Sequence, residues 1–282
     1  MRRISLCTAL LLLLWPSASR AQVRYSTGGV TNYPAATCGG PSLPLAVPEA
    51  RDFQFWYNLA GMQNVTHWEN GDVWGSDFRD ASGGANNDLD SSGGSDIAQA
   101  YFFTGHGICE TAPVGATTGD FLVTCGNFGK PDTTRIQTSS RWGNSGGQLR
   151  FMLIDASCPM DLPSITSEWF APFQGLHVAT GHSGDTKHDT LDSETRGSQF
   201  AAYTVGASIT FFGIKFTLFP QLSIGDAWMR TGLIDVQSQV CAVAAAAGDT
   251  EQDAINRREN ESVTSNWSNP TNNWLAWRWV CN

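Results

Sequence analysis

Apolar positions in this chain come in short, sharply bounded runs, and the run lengths predict a sheet protein with intervening helices. Residues 53–59 alternate, with Phe53, Phe55, Tyr57 and Leu59 on one side, which suits a half-buried strand. Residues 97–104, 121–125, 149–155 and 176–180 are nearly continuous apolar stretches. Strands of that kind belong in a sheet covered on both faces, mostly parallel. Residues 22–50 are rich in Gly, Pro and Thr and read as an extended arm, and 69–96 as a long polar loop. Residues 199–219 suit either a buried helix or a hairpin. Ser223 with Asp226 three positions on opens a helix, and the alanine-rich stretch 241–247 favours helix running on into residues 250–260. Trp274, Trp277 and Trp279 read as core or edge-strand aromatics.

The first 21 residues have a different character. Arg2 and Arg3 precede an apolar run over 4–15, and small residues lead to Ala21. This is the pattern of a cleavable export leader, shorter than the ~20 residues a spanning helix needs. The organisation expected is therefore a leader at 1–21, an arm at 22–50 and one α/β domain over 51–282 with a helical, aromatic C-terminal extension. The chain is expected to work outside the cytoplasm, without membrane insertion.

The formal charge is −9, and −12 once Arg2, Arg3 and Arg20 leave with the leader. A surface that acidic excludes nucleic acid as a partner. Cleavage also leaves Cys38, Cys109, Cys125, Cys158, Cys241 and Cys281, enough for three disulfides in an oxidising compartment.

Three apolar runs end in polar turns that carry His106, Cys158 and His182. Functional groups of parallel sheets collect beyond the carboxyl ends of the strands, so neighbouring strands would bring these side chains to one rim. Gly105 and Gly107 flank His106 and leave the Gly107 N–H open to a ligand. Pro159 suits the first position of a helix, whose positive end would favour a Cys158 thiolate. An imidazole there would take the thiol proton, and the amides of Cys158 and Gly107 would hold an oxyanion.

An apolar strand ending in His106-Gly107, then another ending in Ser157-Cys158, resembles the caspase-like cysteine peptidases, a group that includes caspases, gingipains, separase and clostripain. His106 stands 52 positions before Cys158, against about 50 in the caspase pattern. The chain looks closest to secreted bacterial caspase-like proteins of unassigned activity. The resemblance implies an α/β/α sandwich with a mostly parallel sheet, the dyad on adjacent strand ends, and a peptide or protein substrate. It also implies a specificity pocket bordered by the strand near 176–184, with Asp155, His182 and Asp185 as positional candidates. Ser157 stands where alanine is usual, and Pro159 replaces a residue with an N–H.

The expected function is thus a thiol-dependent endopeptidase using His106 and Cys158, with no cofactor. Two other readings stay open. In one the chain is a non-catalytic secreted binding module with Cys158 in a disulfide. In the other Cys158, His106 and His182 bind zinc in a hydrolase. Asp88, Asp90, Ser92 and Asp96 are spaced like part of a calcium loop, although Gln99 stands where an EF-hand carries glutamate. Residues 143–148 mimic the serine-protease nucleophile signature but read better as a turn before a strand. His67, His177 and His188 read as structural or solvated, and Asn64, Asn260 and Asn266 begin glycosylation sequons.

Overall fold

The structure is a computed structural model that describes residues 22–33, 41–83, 89–91, 93–109, 120–127, 130–144, 146–162, 165–186, 191–211, 214–234 and 240–281. The leader, Cys38, Asp88, Ser92 and His188 lie outside the described residues.

A seven-stranded sheet organises the chain. Its strands are β1 (Arg24–Gly29), β2 (Gln63–Glu69), β3 (Ala100–Thr104), β7 (Phe151–Asp155), β8 (Val178–Ser183), β11 (Cys241–Gly248) and β12 (Trp274–Cys281). They lie in the order β12-β11-β8-β7-β3-β1-β2. The five from β2 to β8 are parallel, and β11 is antiparallel to both of its neighbours. Strand β1, inside the segment expected to be an arm, is an interior strand with parallel partners on both sides.

The segment expected as a half-buried strand is instead the end of helix α1 (Ala46–Leu59). Burial follows the i, i+4 spacing of a helix: Ala46, Ala50 and Phe53 with Tyr57 face inward, while Phe55 and Leu59 are 59% and 67% exposed. The alternation of aromatics was a coincidence of composition on a helix whose outer face is also apolar. The alanine run shows the converse. It forms β11 between β8 and β12, where burial and pairing override helix propensity. Its small side chains admit the helix above: a Cβ at Gly232 would lie 2.5 Å from that of Ala242.

Helix α1 joins β1 to β2 across one face. That face also carries α4 (Leu191–Val205) and α5 (Ile224–Ile234), and its core joins Phe53 and Tyr57 to Phe102, Leu153, Phe200 and Trp228. The opposite core gathers Phe78, Phe103, Ile154, Trp142, Trp169 and Phe173. There the cover is irregular chain, the short helices α2 (Ile136–Ser139) and α3 (Ile165–Glu168), and a small antiparallel sheet of β4 (His106–Cys109), β5 (Asp120–Asn127) and β6 (Lys130–Arg135). Between parallel strands, connections stepping one way along the sheet use one face and those stepping the other way use the second, as right-handed crossovers require. Residues 199–219 hold both expected forms: the end of α4, then a hairpin of β9 (Ala207–Phe211) and β10 (Ile214–Phe219). Helix α5 starts as expected, with the Asp226 N–H donating to Ser223 Oγ, and α6 (Glu251–Asn260) follows. Among the described residues no helix is long and apolar enough to cross a membrane.

Candidate functional site

The sheet order reverses between β1 and β3, and the crevice beyond their carboxyl ends is where open α/β sheets bind ligands. Strands β3 and β7 are direct neighbours, Thr104 opposite Asp155, and the Gly105 N–H donates to the Asp155 carbonyl at 3.1 Å. His106 and Cys158 therefore follow adjacent strand ends, as their positions in the sequence suggested.

The chemistry expected of them meets several corrections. Cys158 is disulfide-bonded, so its sulfur is not a free thiol. It is 2% exposed and sits in the left-handed region at φ 57°. Its amide, expected to cradle an oxyanion, donates to the Gly184 carbonyl at 3.0 Å. No helix starts at Pro159. Residues 159–160 form a turn, and the Met160 N–H donates to the His182 carbonyl at 3.1 Å, so no helix dipole points at the sulfur. Gly107 is pressed against the neighbouring turn: a Cβ there would lie 1.9 Å from the Ser157 carbonyl oxygen. That approach closes the gap between the His106 and Cys158 segments.

His106 is half-buried. Its Nε2 lies 2.7 Å from the Pro41 carbonyl, which can only accept, so Nε2 carries the proton. Its backbone N–H donates to the Tyr33 hydroxyl, which in turn donates to the Val123 carbonyl, both at 2.9 Å. The Tyr33 ring meets the imidazole edge-on at 4.4 Å, and a Cβ at Gly105 would strike the Tyr33 hydroxyl at 2.6 Å. Tyr33 and Pro41 thus pack against His106 at the switch-point crevice.

The other candidates lie below or away from the rim. Strand β8 runs on through His182, which is 2% exposed, faces the helical layer, and packs 4.9 Å from the Trp228 ring. Its Nε2 stands 3.2 Å from Asp155 Oδ1, and Asp155 Oδ2 accepts from Arg196 Nε at 2.7 Å. Asp155 is fully buried and Asp185 is exposed. Glu49 of α1 completes this buried cluster, accepting from Thr104 Oγ1 at 2.8 Å and from the Gly197 N–H at 3.0 Å. Burial, and then the charge of Asp155, push the Glu49 carboxyl well above the usual range. The sequence reading missed Glu49 and Arg196. A glutamate at Glu49, on the same helical stripe as Phe53, is the signal that would have found it, had 46–59 been read as a helix.

Of the remaining histidines, His67 bridges Thr27 and Glu69, and His177 bridges Glu261 and Asn269. Near the opposite, amino edge of the sheet, Asp96 accepts the Gly143 N–H at 2.9 Å, while Asn144 donates to Asp80 and Asp90. Burial lifts the Asp96 carboxyl to about 8. Among the described residues no group of three or more His, Cys, Asp or Glu is placed to hold a metal ion, for calcium at Asp90 and Asp96 or for zinc at the rim. Cys241 and Cys281, opposite each other in β11 and β12, form a disulfide at the rim end of the sheet. Cys125 is also disulfide-bonded, and the side chain of Cys109 lies outside the described residues.

A family model described as a domain of unknown function (DUF6345) matches residues 32–280. No curated protein matches the chain.

Proposed function

We propose that this chain, which belongs to the DUF6345 family of domains of unknown function, is an exported, disulfide-braced binding domain on a caspase-like scaffold and not a working thiol hydrolase. The carrying observation is the disulfide at Cys158. A sulfur already bonded to sulfur has no thiolate to offer a carbonyl carbon. Three further contacts support the reading: the Cys158 amide is spent on Gly184, Gly107 lies against Ser157, and Tyr33 packs against His106. The Cys241–Cys281 bridge and the disulfide-bonded state of Cys125 and Cys158 also suit an oxidising compartment.

Thiol mapping tests this. Native protein is treated with an alkylating reagent, then reduced and treated with a second reagent of different mass. Cys158 is expected to carry only the second label. Cys158 alkylated before reduction, together with capture by an electrophilic peptide, overturns the proposal.

A second reading keeps one observation in its favour. Because β3 and β7 are neighbours, reduction would release a thiol on the segment that follows the strand end next to that of His106. That reading, a thiol hydrolase unmasked by reduction, expects the electrophilic peptide to label Cys158 after mild reduction, and the label to be lost in His106→Ala.

A further inference from the structure

At the far end of α1 and α4 from the rim, their last turns and the β9–β10 hairpin enclose a half-open cavity of about 260 Å³. Phe55, Trp56, Leu59, Val205, Ala207 and Leu218 line it, and none of its nine lining residues is ionisable. Its margin is conspicuously apolar: Phe55, Leu59 and Leu218 are 59%, 67% and 52% exposed, with Phe216 of β10 at 48%. Contiguous exposed apolar surface on a soluble domain marks a contact site.

Two features give that site a charge preference. Both helices terminate here, α1 at Leu59 and α4 at Val205, and neither has a basic residue in its last turn. Backbone N–H groups of Gly61, Met62, Gly206 and Leu222 and the Gln221 amide cap several of the last carbonyls, but a helix carboxyl end still carries a partial negative charge over its last turn, and no basic side chain within those turns offsets it. The Phe55 and Trp56 rings stand 5.5 Å apart at 77°, forming two walls of a corner. Trp56 is held in place by donating from Nε1 to Ser198 Oγ at 2.9 Å and by an edge contact with Phe219 at 5.9 Å. Aromatic faces attract cations, most effectively weakly hydrated ones.

We propose that this cavity binds an organic ammonium cation with an apolar tail. The apolar walls exclude a metal ion, which needs oxygen, nitrogen or sulfur ligands. The two helix ends disfavour a carboxylate or sulfonate head. A quaternary ammonium meets both conditions, because its charge is diffuse and its methyl groups are apolar. The inference goes beyond the preceding proposal and does not depend on the state of Cys158.

Titration of the protein from Gln22 onward with hexyltrimethylammonium, hexanol and hexanesulfonate, followed by calorimetry and tryptophan fluorescence, tests it. The cation is expected to bind roughly tenfold more tightly than the alcohol, and the sulfonate least well. Phe55→Ala, at an exposed position that leaves the fold intact, should weaken the cation roughly tenfold and the alcohol little. Leu59→Lys, which puts a positive charge at the mouth, should abolish the preference. Equal or tighter sulfonate binding, absence of cation binding, or a preference that survives both variants overturns the proposal. Thiol mapping reads the Cys158 proposal separately, so either idea can fail alone.

Discussion

Helices α1 and α4 span the molecule from one end of the sheet to the other, and the two ends are built in opposite ways. At the carboxyl rim they contribute Glu49 and Arg196 to a buried cluster with Asp155, with Cys158 and the Cys241–Cys281 bridge near by. There Gly107 lies against Ser157, and Tyr33 packs against His106. At the other end the same helices stop short, leave a hollow, and expose Phe55 and Leu59 around it. The rim carries His106 and Cys158, the pair whose types and spacing suggest catalysis, and there the sulfur is bonded and the imidazole is packed. The hollow holds no reactive group, and it is open. Reactive residue types mark where chemistry can be built, while unfilled space marks where a ligand can go, and in this chain the two part company.

That contrast can be broken by stability measurements. The largest effect is expected at the rim. Arg196→Met leaves the Glu49 and Asp155 carboxyls without their buried cation and should cost roughly 3–5 kcal/mol in denaturant unfolding. Replacing Cys241 and Cys281 together by serine should cost about 2–4 kcal/mol, since the bridge closes a 40-residue separation. Gly107→Ala drives a methyl group into the Ser157 carbonyl and should cost roughly 1–3 kcal/mol; a neutral result would mean that the rim is open after all.

The amino edge should respond to pH in a defined direction. The Asp96 carboxyl is lifted to about 8, from roughly 3.9 in an unfolded chain. The folded state therefore binds the extra proton between those values, and its contribution is complete below the lower one. It is lost as pH rises through the upper. Asp96→Asn should flatten that part of the stability profile in urea titrations at stepped pH. The smallest effect is expected at the hollow: Phe55→Ala should shift stability by no more than about 0.5 kcal/mol, because the ring is mostly exposed.

Much of the sheet was legible in the sequence. Strands β3, β7 and β8 of the main sheet, and β5 of the small one, coincide with apolar runs, because buried strands need no alternation. Helix α5 announced itself through Ser223, and α6 lies where helix was expected to run on from the alanines. Besides β1, found in the segment read as an arm, and the helix expected at Pro159, two elements were misread for identifiable reasons. Phe53, Phe55, Tyr57 and Leu59 imitate a strand, because the outer side of α1 is apolar where it borders the hollow. The alanines of β11 imitate a helix, because their strand needs small side chains beneath α5. The adjacency of His106 and Cys158 could be inferred, since both follow runs that end in polar turns. The disulfide state of Cys158 could not, because six cysteines allow fifteen pairings. The hollow was invisible as well: its walls come from a misread helix and from a segment about 150 positions later in the chain.

Gln22, the first described residue, donates from Nε2 to the Gly61 carbonyl at 2.6 Å. Gly61 directly follows Ala60, which lines the hollow. Whatever precedes Gln22 thus leaves the domain at the doorstep of the proposed ligand. An affinity tag or uncleaved leader attached there would share that doorway and blunt a binding signal, so the opposite terminus is the better place for a label.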